Sequence, residues 1–217
     1  MVFEYGEREL EFLKARDSKL AVVIERVGHV ERAVDPDLFA SVVHHIVGQQ
    51  ISTKAQETIW RRMNAELGSP TPEKFDELEA GKLQKFGLSF RKVAYLKDFA
   101  GKVVRGEFVP ARVAQMGDAE AIAALSELKG VGIWTAEMIL LFCLQRPDIL
   151  SFGDLGIQRG MRMVYRHRKL DRKLFEKYRR RLSPCGSVAS LYFWAVSGGA
   201  LPELTDPALG LKKSRGA

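Results

Sequence analysis

The 217-residue chain is 46% hydrophobic and 28% charged, a globular composition with length for one substantial core or two lobes sharing one. No apolar run approaches the ~18 residues that span a bilayer, and residues 1–20 show no signal-peptide core, so a cytoplasmic address with no membrane partner is expected. Two cysteines, Cys143 and Cys185, exclude a disulfide framework, a four-cysteine zinc site and a four-cysteine iron–sulfur cluster.

Almost every segment reads with a helical period, and none shows strand-like alternation between hairpin turns, so the expected fold class is all-α. Helix starts fall near Glu7, at Ser18 after Asp17, at Asp37 after Pro36, at Thr53 after Ser52, and at Pro72, which follows the cap Thr71. "FRKVAYLKDFAGKVVRG" is an amphipathic helix with Gly106 as its stop, and further helices are expected after Asp118, from Ile133, over Leu155–Tyr165, after Asp171 and after Ser187. That makes about ten short helices, with no internal repeat and no linker long enough to separate independent domains. The helix ending at Gln49 and Gln50 carries Phe39, Val43, Ile46 and Val47 on its apolar face, which makes the two glutamines a solvated terminus in the plainest reading. His44 and His45 fit no metal-ligand spacing, and no metal site is expected.

In "LKGVGIWTAEMILLF", residues 128–142, two glycines stand one residue apart directly before an apolar helix. Glycine belongs where φ is positive or where another body approaches the main chain, and a helix start offers unpaired N–H groups to an anion. With "DAEAIAALSEL" at 118–128 as the first helix, the stretch is a helix-hairpin-helix. Either the amides after Gly130 and Gly132, with Lys129 and the Thr135 hydroxyl beside them, hold one phosphate, or the stretch is a tight turn that binds nothing. The charge distribution bears on this choice. Residues 158–181, "QRGMRMVYRHRKLDRKLFEKYRRR", hold eleven basic and two acidic side chains, against a whole-chain net of +7. A local excess of this kind suits a polyanion such as nucleic acid, its alternative being a solvated helix face.

Nineteen residues after Thr135, in "LSFGDLGIQRGM", Asp154 opens a helix. As an N-cap it accepts backbone N–H bonds, and such bonds favour the charged form of a carboxylate, so a cap can also stand as fixed negative charge opposite a cationic intermediate. Trp134 and Trp194 are core residues in the plain reading, since large aromatics dominate burial.

At these residues the chain resembles the helix-hairpin-helix DNA glycosylase superfamily, and most closely its alkylpurine branch, the 3-methyladenine DNA glycosylase II family, in a compact form without the extra β-rich N-terminal domain of larger members. "HIVGQQISTKAQ" (45–56), "FGLSFRKVAYLKDFA" (86–100), "DLGIQRG" (154–160) and "GSVASLYFWAVSGG" (186–199) match it as well. The resemblance implies one unit over 1–217, with a hairpin lobe at about 36–145 and a second lobe from about 1–35 plus 146–217, and a cleft between them. It implies a monofunctional enzyme that flips alkylated purines such as 3-methyladenine and 7-methylguanine out of duplex DNA and excises them by hydrolysis in base-excision repair. Asp154 would be the catalytic residue, Trp134 and Trp194 the base pocket, and Gln49, Gln50, Lys92, Lys129, Gly130, Gly132 and Thr135 the DNA contacts. Gln50 would fill the space left by the flipped nucleotide. The partner implied is damaged double-stranded DNA, bound by a monomer that requires no cofactor and lies with the nucleoid or in a nucleus. Relatives that also cut the strand place a lysine where this chain has Trp134. The family often has a second acid directly before the aspartate, and here that position is Gly153. Enzymes of the superfamily for deaminated, oxidised or mismatched bases, or a non-catalytic DNA-binding hairpin, are the alternatives.

Overall fold

A computed structural model describes residues 1–209. Among these the structure is helical throughout: α1 Glu7–Arg16, α2 Ser18–Val27, α3 Leu38–Gly48, α4 Thr53–Leu67, α5 Pro72–Glu77, α6 Ala80–Lys85, α7 Phe90–Val104, α8 Pro110–Gln115, α9 Asp118–Ser126, α10 Ile133–Phe142, α11 Leu155–Tyr165, α12 Arg172–Leu182 and α13 Gly186–Ser197. The described residues form no strand ladder, only one isolated bridge between Val2 and Ala33. None of the described helices is long and apolar enough to cross a membrane.

Helix starts follow side-chain capping. Asp17, Asp37, Ser52, Thr71, Ser89, Asp154 and Asp171 each accept a backbone N–H of the helix they open, a bond worth typically about 1 kcal/mol. Asp37 is therefore the cap of α3 and not its first residue. Two short helices were not expected from the sequence. α6 and α8 begin after Glu79 and Val109, neither of which makes a side-chain cap bond, and six residues are too few for a 3.6-residue period to show. α13 begins at Gly186, ahead of the expected start, because Asp148 reaches back to accept the Gly186 N–H at 3.1 Å.

The chain divides into two compact units, Asp35–Leu144 and Met1–Val34 with Gln145 onward. Residues 210–217, the end of the lobe expected at 146–217, lie outside the described residues. In the Asp35–Leu144 unit the core is built around Phe39, which stacks on Phe99 (centroids 5.0 Å) and meets Phe75 edge-on (5.8 Å). α10, whose one charged residue is Glu137, buries Thr135, Ala136 and Met138–Leu141. The other unit is centred on α11 and α13. Here a Cβ on Gly160 would sit 2.1 Å from the carbonyl oxygen of Phe193, so the two helices touch backbone to backbone.

Candidate nucleic-acid interface and carboxylate site

The hairpin turn between α9 and α10 is anchored by buried Leu128 and Val131 and closed by two short-range bonds, Leu128 N–H to the Leu125 carbonyl (3.1 Å) and Val131 N–H to the Leu128 carbonyl (3.0 Å). Its two glycines are there for different reasons. Gly130 has φ +85°, and a Cβ on it would lie 2.3 Å from the Tyr95 ring, so this chain's own packing already requires its lack of a side chain. Gly132 caps α10 in an extended conformation, and nothing stands within 4 Å of where its Cβ would be. The space in front of the α10 N-terminus is open at Gly132, and no side chain caps that helix. A helix start of this kind presents N–H donors and the positive end of the dipole.

The residues expected around the turn divide. Lys129, expected to point its amine at phosphate and solvent, instead donates to Asp98 Oδ1 at 2.7 Å, with Lys102 3.4 Å from the other oxygen. The Lys129 hydrogen bond holds the Asp98 carboxyl below the usual carboxylate range, against its partial burial. Thr135 is buried in the first turn of α10, only 5% exposed. Gln49 donates from Nε2 to the Gly130 carbonyl at 2.6 Å, tying the end of α3 to the turn. Lys92 is half-buried rather than an exposed helix lysine. Its ammonium donates to the Val47 carbonyl at 2.7 Å, closing the last turn of α3, and burial lowers its pKa. Gln50 is exposed, adopts the left-handed φ of 57°, and faces Arg91, whose Nη2 is 3.4 Å from its Oε1. A non-glycine residue at such a φ is a common mark of functional sites.

Gln49, Gln50, Arg91 and Lys92, with Ser89, Tyr95 and Gly130, line a cavity of about 240 Å³ beside the turn. Phe90 is 82% exposed at the start of α7, and Ile133 and Trp134 are exposed at the start of α10. Tyr95, Asp98, Arg91 and Phe90 were missed by sequence reasoning. Of these, only the apolar Phe90 directly after the cap Ser89 carried a local signal. The larger cavity of this unit, about 530 Å³ and lined by Asp35, Asp37, Trp60 and Asn64 among others, contains none of the expected site residues.

In the other unit, Asp154 caps α11 and is only 8% exposed. Its Oδ1 accepts two donors, the Ile157 N–H at 2.8 Å and the Trp194 indole Nε1–H at 2.9 Å. Both glycines of "DLGIQRG" make this possible. A Cβ on Gly156 would lie 2.9 Å from Trp194 Cδ1, and one on Gly160 would strike the Phe193 carbonyl. These positions are one turn apart on the same face of α11, so α13 approaches closely enough to bring the indole edge to the carboxylate. The polar edge of Trp194 is thereby committed to Asp154.

His44 and His45 are structural. His45 Nδ1 pairs with the Ser41 carbonyl (2.8 Å), His44 packs edge-on against Trp60, and burial lowers both pKa values. Cys143 is an inert filler whose thiol is pushed up to about 12 by burial. Among the described residues no group of three His, Cys, Asp or Glu side chains could hold a metal ion.

An all-helical chain with a helix-hairpin-helix turn, and a buried aspartate capping a helix nineteen residues beyond Thr135, defines a class of DNA-repair fold. The chain belongs to the HhH-GPD superfamily of base excision DNA repair proteins, whose family model matches residues 43–185. It is 29% identical over 175 residues to DNA-3-methyladenine glycosylase 1 of Schizosaccharomyces pombe, covering 78% of this chain and 75% of that protein. Among solved structures it resembles a DNA-3-methyladenine glycosidase from Bacillus halodurans (32% identity, TM-score 0.83, 98% of this chain and 99% of that one). It also resembles an S. pombe 3-methyladenine DNA glycosylase in complex with abasic DNA (26% identity, TM-score 0.78, 88% and 97% of the two chains).

Proposed function

We propose that the protein is a monofunctional DNA glycosylase that flips alkylated purines out of duplex DNA and hydrolyses their N-glycosidic bond. The observation that carries this reading is the Asp154 carboxylate, buried and held through Oδ1 by two donors, in a chain of this superfamily. N-alkylation places positive charge on the base. As the C1′–N bond breaks, its electron pair goes to the base, which leaves neutral, and the sugar becomes an oxocarbenium-like cation. A fixed carboxylate stabilises that cation, and water adds at C1′ and gives its proton to the carboxylate or to solvent. This chemistry requires no cofactor. Trp194 holds the carboxylate through its indole N–H, while the half-exposed indole of Trp134 is suited to stacking on a cationic base, an attraction of ~0.5–2 kcal/mol.

The unit with the hairpin supplies the phosphate contacts through the open α10 start at Gly132, with exposed Gln50, supported by Arg91, as the residue that fills the vacated position in the duplex. Protein monomers act on damaged double-stranded DNA in this reading. The α10 sequence IWTAEMILLF has no lysine, and the nearest one, Lys129, is bound to Asp98. In this reading no lysine of α10 attacks the sugar.

Release of 3-methyladenine and 7-methylguanine from methylated duplex tests the assignment. A carboxylate about 4 Å from a developing unit charge, at an effective dielectric of about 20, contributes about 4 kcal/mol. Asp154→Asn keeps the shape and cap and should lower single-turnover excision by about three orders of magnitude with duplex affinity retained. Excision within threefold of wild type would remove Asp154 from the mechanism.

A further inference from the structure

The basic segment 158–181 is not consumed by the interactions described so far. Three of its arginines are paired: Arg162 with Asp206 (2.6 Å), Arg181 with Asp17 (2.8 Å) and Arg172 with Glu176 (3.1 Å). Arg166, Arg168, Lys169, Lys173, Lys177 and Arg180 are exposed, and none meets a carboxylate at ion-pair distance among the described residues. On α12, Lys173, Lys177 and Arg180 recur at i, i+4 and i+7 on the face opposite buried Phe175, Tyr178 and Leu182. They form a cationic stripe about 10 Å long. The acids nearest in sequence are engaged elsewhere, since Asp171 caps α12 and Glu176 holds Arg172. Lys19 adds a further cation from α2, its ammonium 3.5 Å from the Tyr165 carbonyl at the end of α11.

A second observation concerns Arg166. It ends α11 in the left-handed conformation, φ 60° and ψ 37°, where glycine is favoured by about 1 kcal/mol or more. Its guanidinium makes no hydrogen bond or ion pair among the described residues. An arginine at a position that disfavours any side chain points to a use for the charge outside the fold.

We propose that this end of the unit, formed by the 166–169 turn and the outer face of α12, is a second surface for the phosphate backbone of duplex DNA, independent of the lesion. It rests on the reading of the protein as a DNA glycosylase. Arg166 lies at the opposite end of α11 from Asp154, about 16 Å away along a helix of eleven residues. The 166–169 turn is thus a helix length from a nucleotide at Asp154, whereas α12 packs through Phe175 on Phe152 (centroids 5.1 Å), so the stripe's independence of the lesion is read from excision at saturation. The chemistry of the face selects nucleic acid over other polyanions. None of the exposed large hydrophobic residues of the chain lies within 158–181, whereas a protein interface needs an apolar centre and a membrane-surface helix an apolar face. Phosphate contacts need neither, and carry no sequence information. Such a surface would keep the enzyme on DNA between lesions.

The test compares wild type with Lys173→Gln/Lys177→Gln/Arg180→Gln, changes on an exposed helix face whose fold is checked by thermal melting. Binding of an undamaged 30-base-pair duplex is titrated across salt. Each phosphate contact contributes about 0.9 to the log–log slope, so the triple variant should lose about 2.7 from it. Single-turnover excision from a saturating short lesion duplex should stay within twofold. An unchanged slope overturns the proposal, and so does an equal loss of excision at saturation, which would place the stripe in the lesion footprint. Patch-dependent binding of anionic vesicles tighter than of duplex would overturn it in favour of a membrane. Because undamaged DNA is the probe, a wild type that excises nothing would refute the glycosylase reading and leave the slopes to decide this one.

Discussion

Trp194→Phe separates two roles for one indole. If the ring lines the base pocket, its loss weakens binding of the flipped base. If the indole N–H holds Asp154, its loss weakens catalysis at saturation. The structure favours the second role, because Nε1 lies 2.9 Å from Oδ1 and that oxygen otherwise takes the Ile157 N–H at 2.8 Å. A hydrogen bond to a charged group is worth ~1.5–3 kcal/mol, and where it orients the carboxylate for the transition state that becomes a loss of roughly 10- to 100-fold in rate. Phenylalanine keeps most of the apolar contact with α11, so the expected stability loss is small beside the kinetic one. The assay is single-turnover release of 7-methylguanine at saturating enzyme, together with affinity for an abasic duplex. The expected result is a kcat lowered 10- to 100-fold with abasic-duplex affinity within twofold. A kcat within threefold of wild type in a folded variant, or a loss confined to KM, would refute the positioning role and return Trp194 to the pocket wall.

Three further outcomes follow from the hairpin. Gly130→Ala must place a methyl 2.3 Å from the Tyr95 ring at φ +85°, and the left-handed penalty with overpacking amounts to ~2–4 kcal/mol; calorimetry should show a melting temperature lower by roughly 5–15 °C, and a drop under 2 °C would show that the turn relaxes. Gly132→Asp should do the opposite: an aspartate at that extended, open cap position suits α10 and leaves stability equal or higher, while its charge at the phosphate site should weaken abasic-duplex binding at least tenfold, and full affinity would direct DNA to another surface. Damaged duplex should yield free base and an intact strand that breaks only after alkali or heat; a borohydride-trapped protein–DNA adduct above the background of a lysine-rich control protein would overturn the monofunctional assignment, because it requires an amine at the sugar.

What was legible in the sequence was what local chemistry decides. Helices opened by Asp17, Ser52, Thr71 and Asp171 could be read because a cap bonds residues two or three positions on, whereas α6 and α8 open without such a bond, α8 with only Pro110 in its first turn to mark it. The hairpin and Asp154 were legible for the same reason, being a turn and a cap at a spacing within one stretch of chain. The partners of the surrounding side chains were not. Lys92 reaches the Val47 carbonyl across 45 residues, Lys129 reaches Asp98 across 31 and Trp194 reaches Asp154 across 40, and each pairing depends on how two helices pack. The glycines show the difference most clearly. Gly130 and Gly132 looked like positions where something approaches the backbone, and at Gly130 the approaching body is this chain itself, the Tyr95 ring, just as the Trp194 indole meets Gly156 and the Phe193 backbone meets Gly160. Gly132 alone of the four faces open space, and for that reason it is the one proposed to meet phosphate. A glycine's sequence context reports that room is needed, but only packing tells whether the room is already filled.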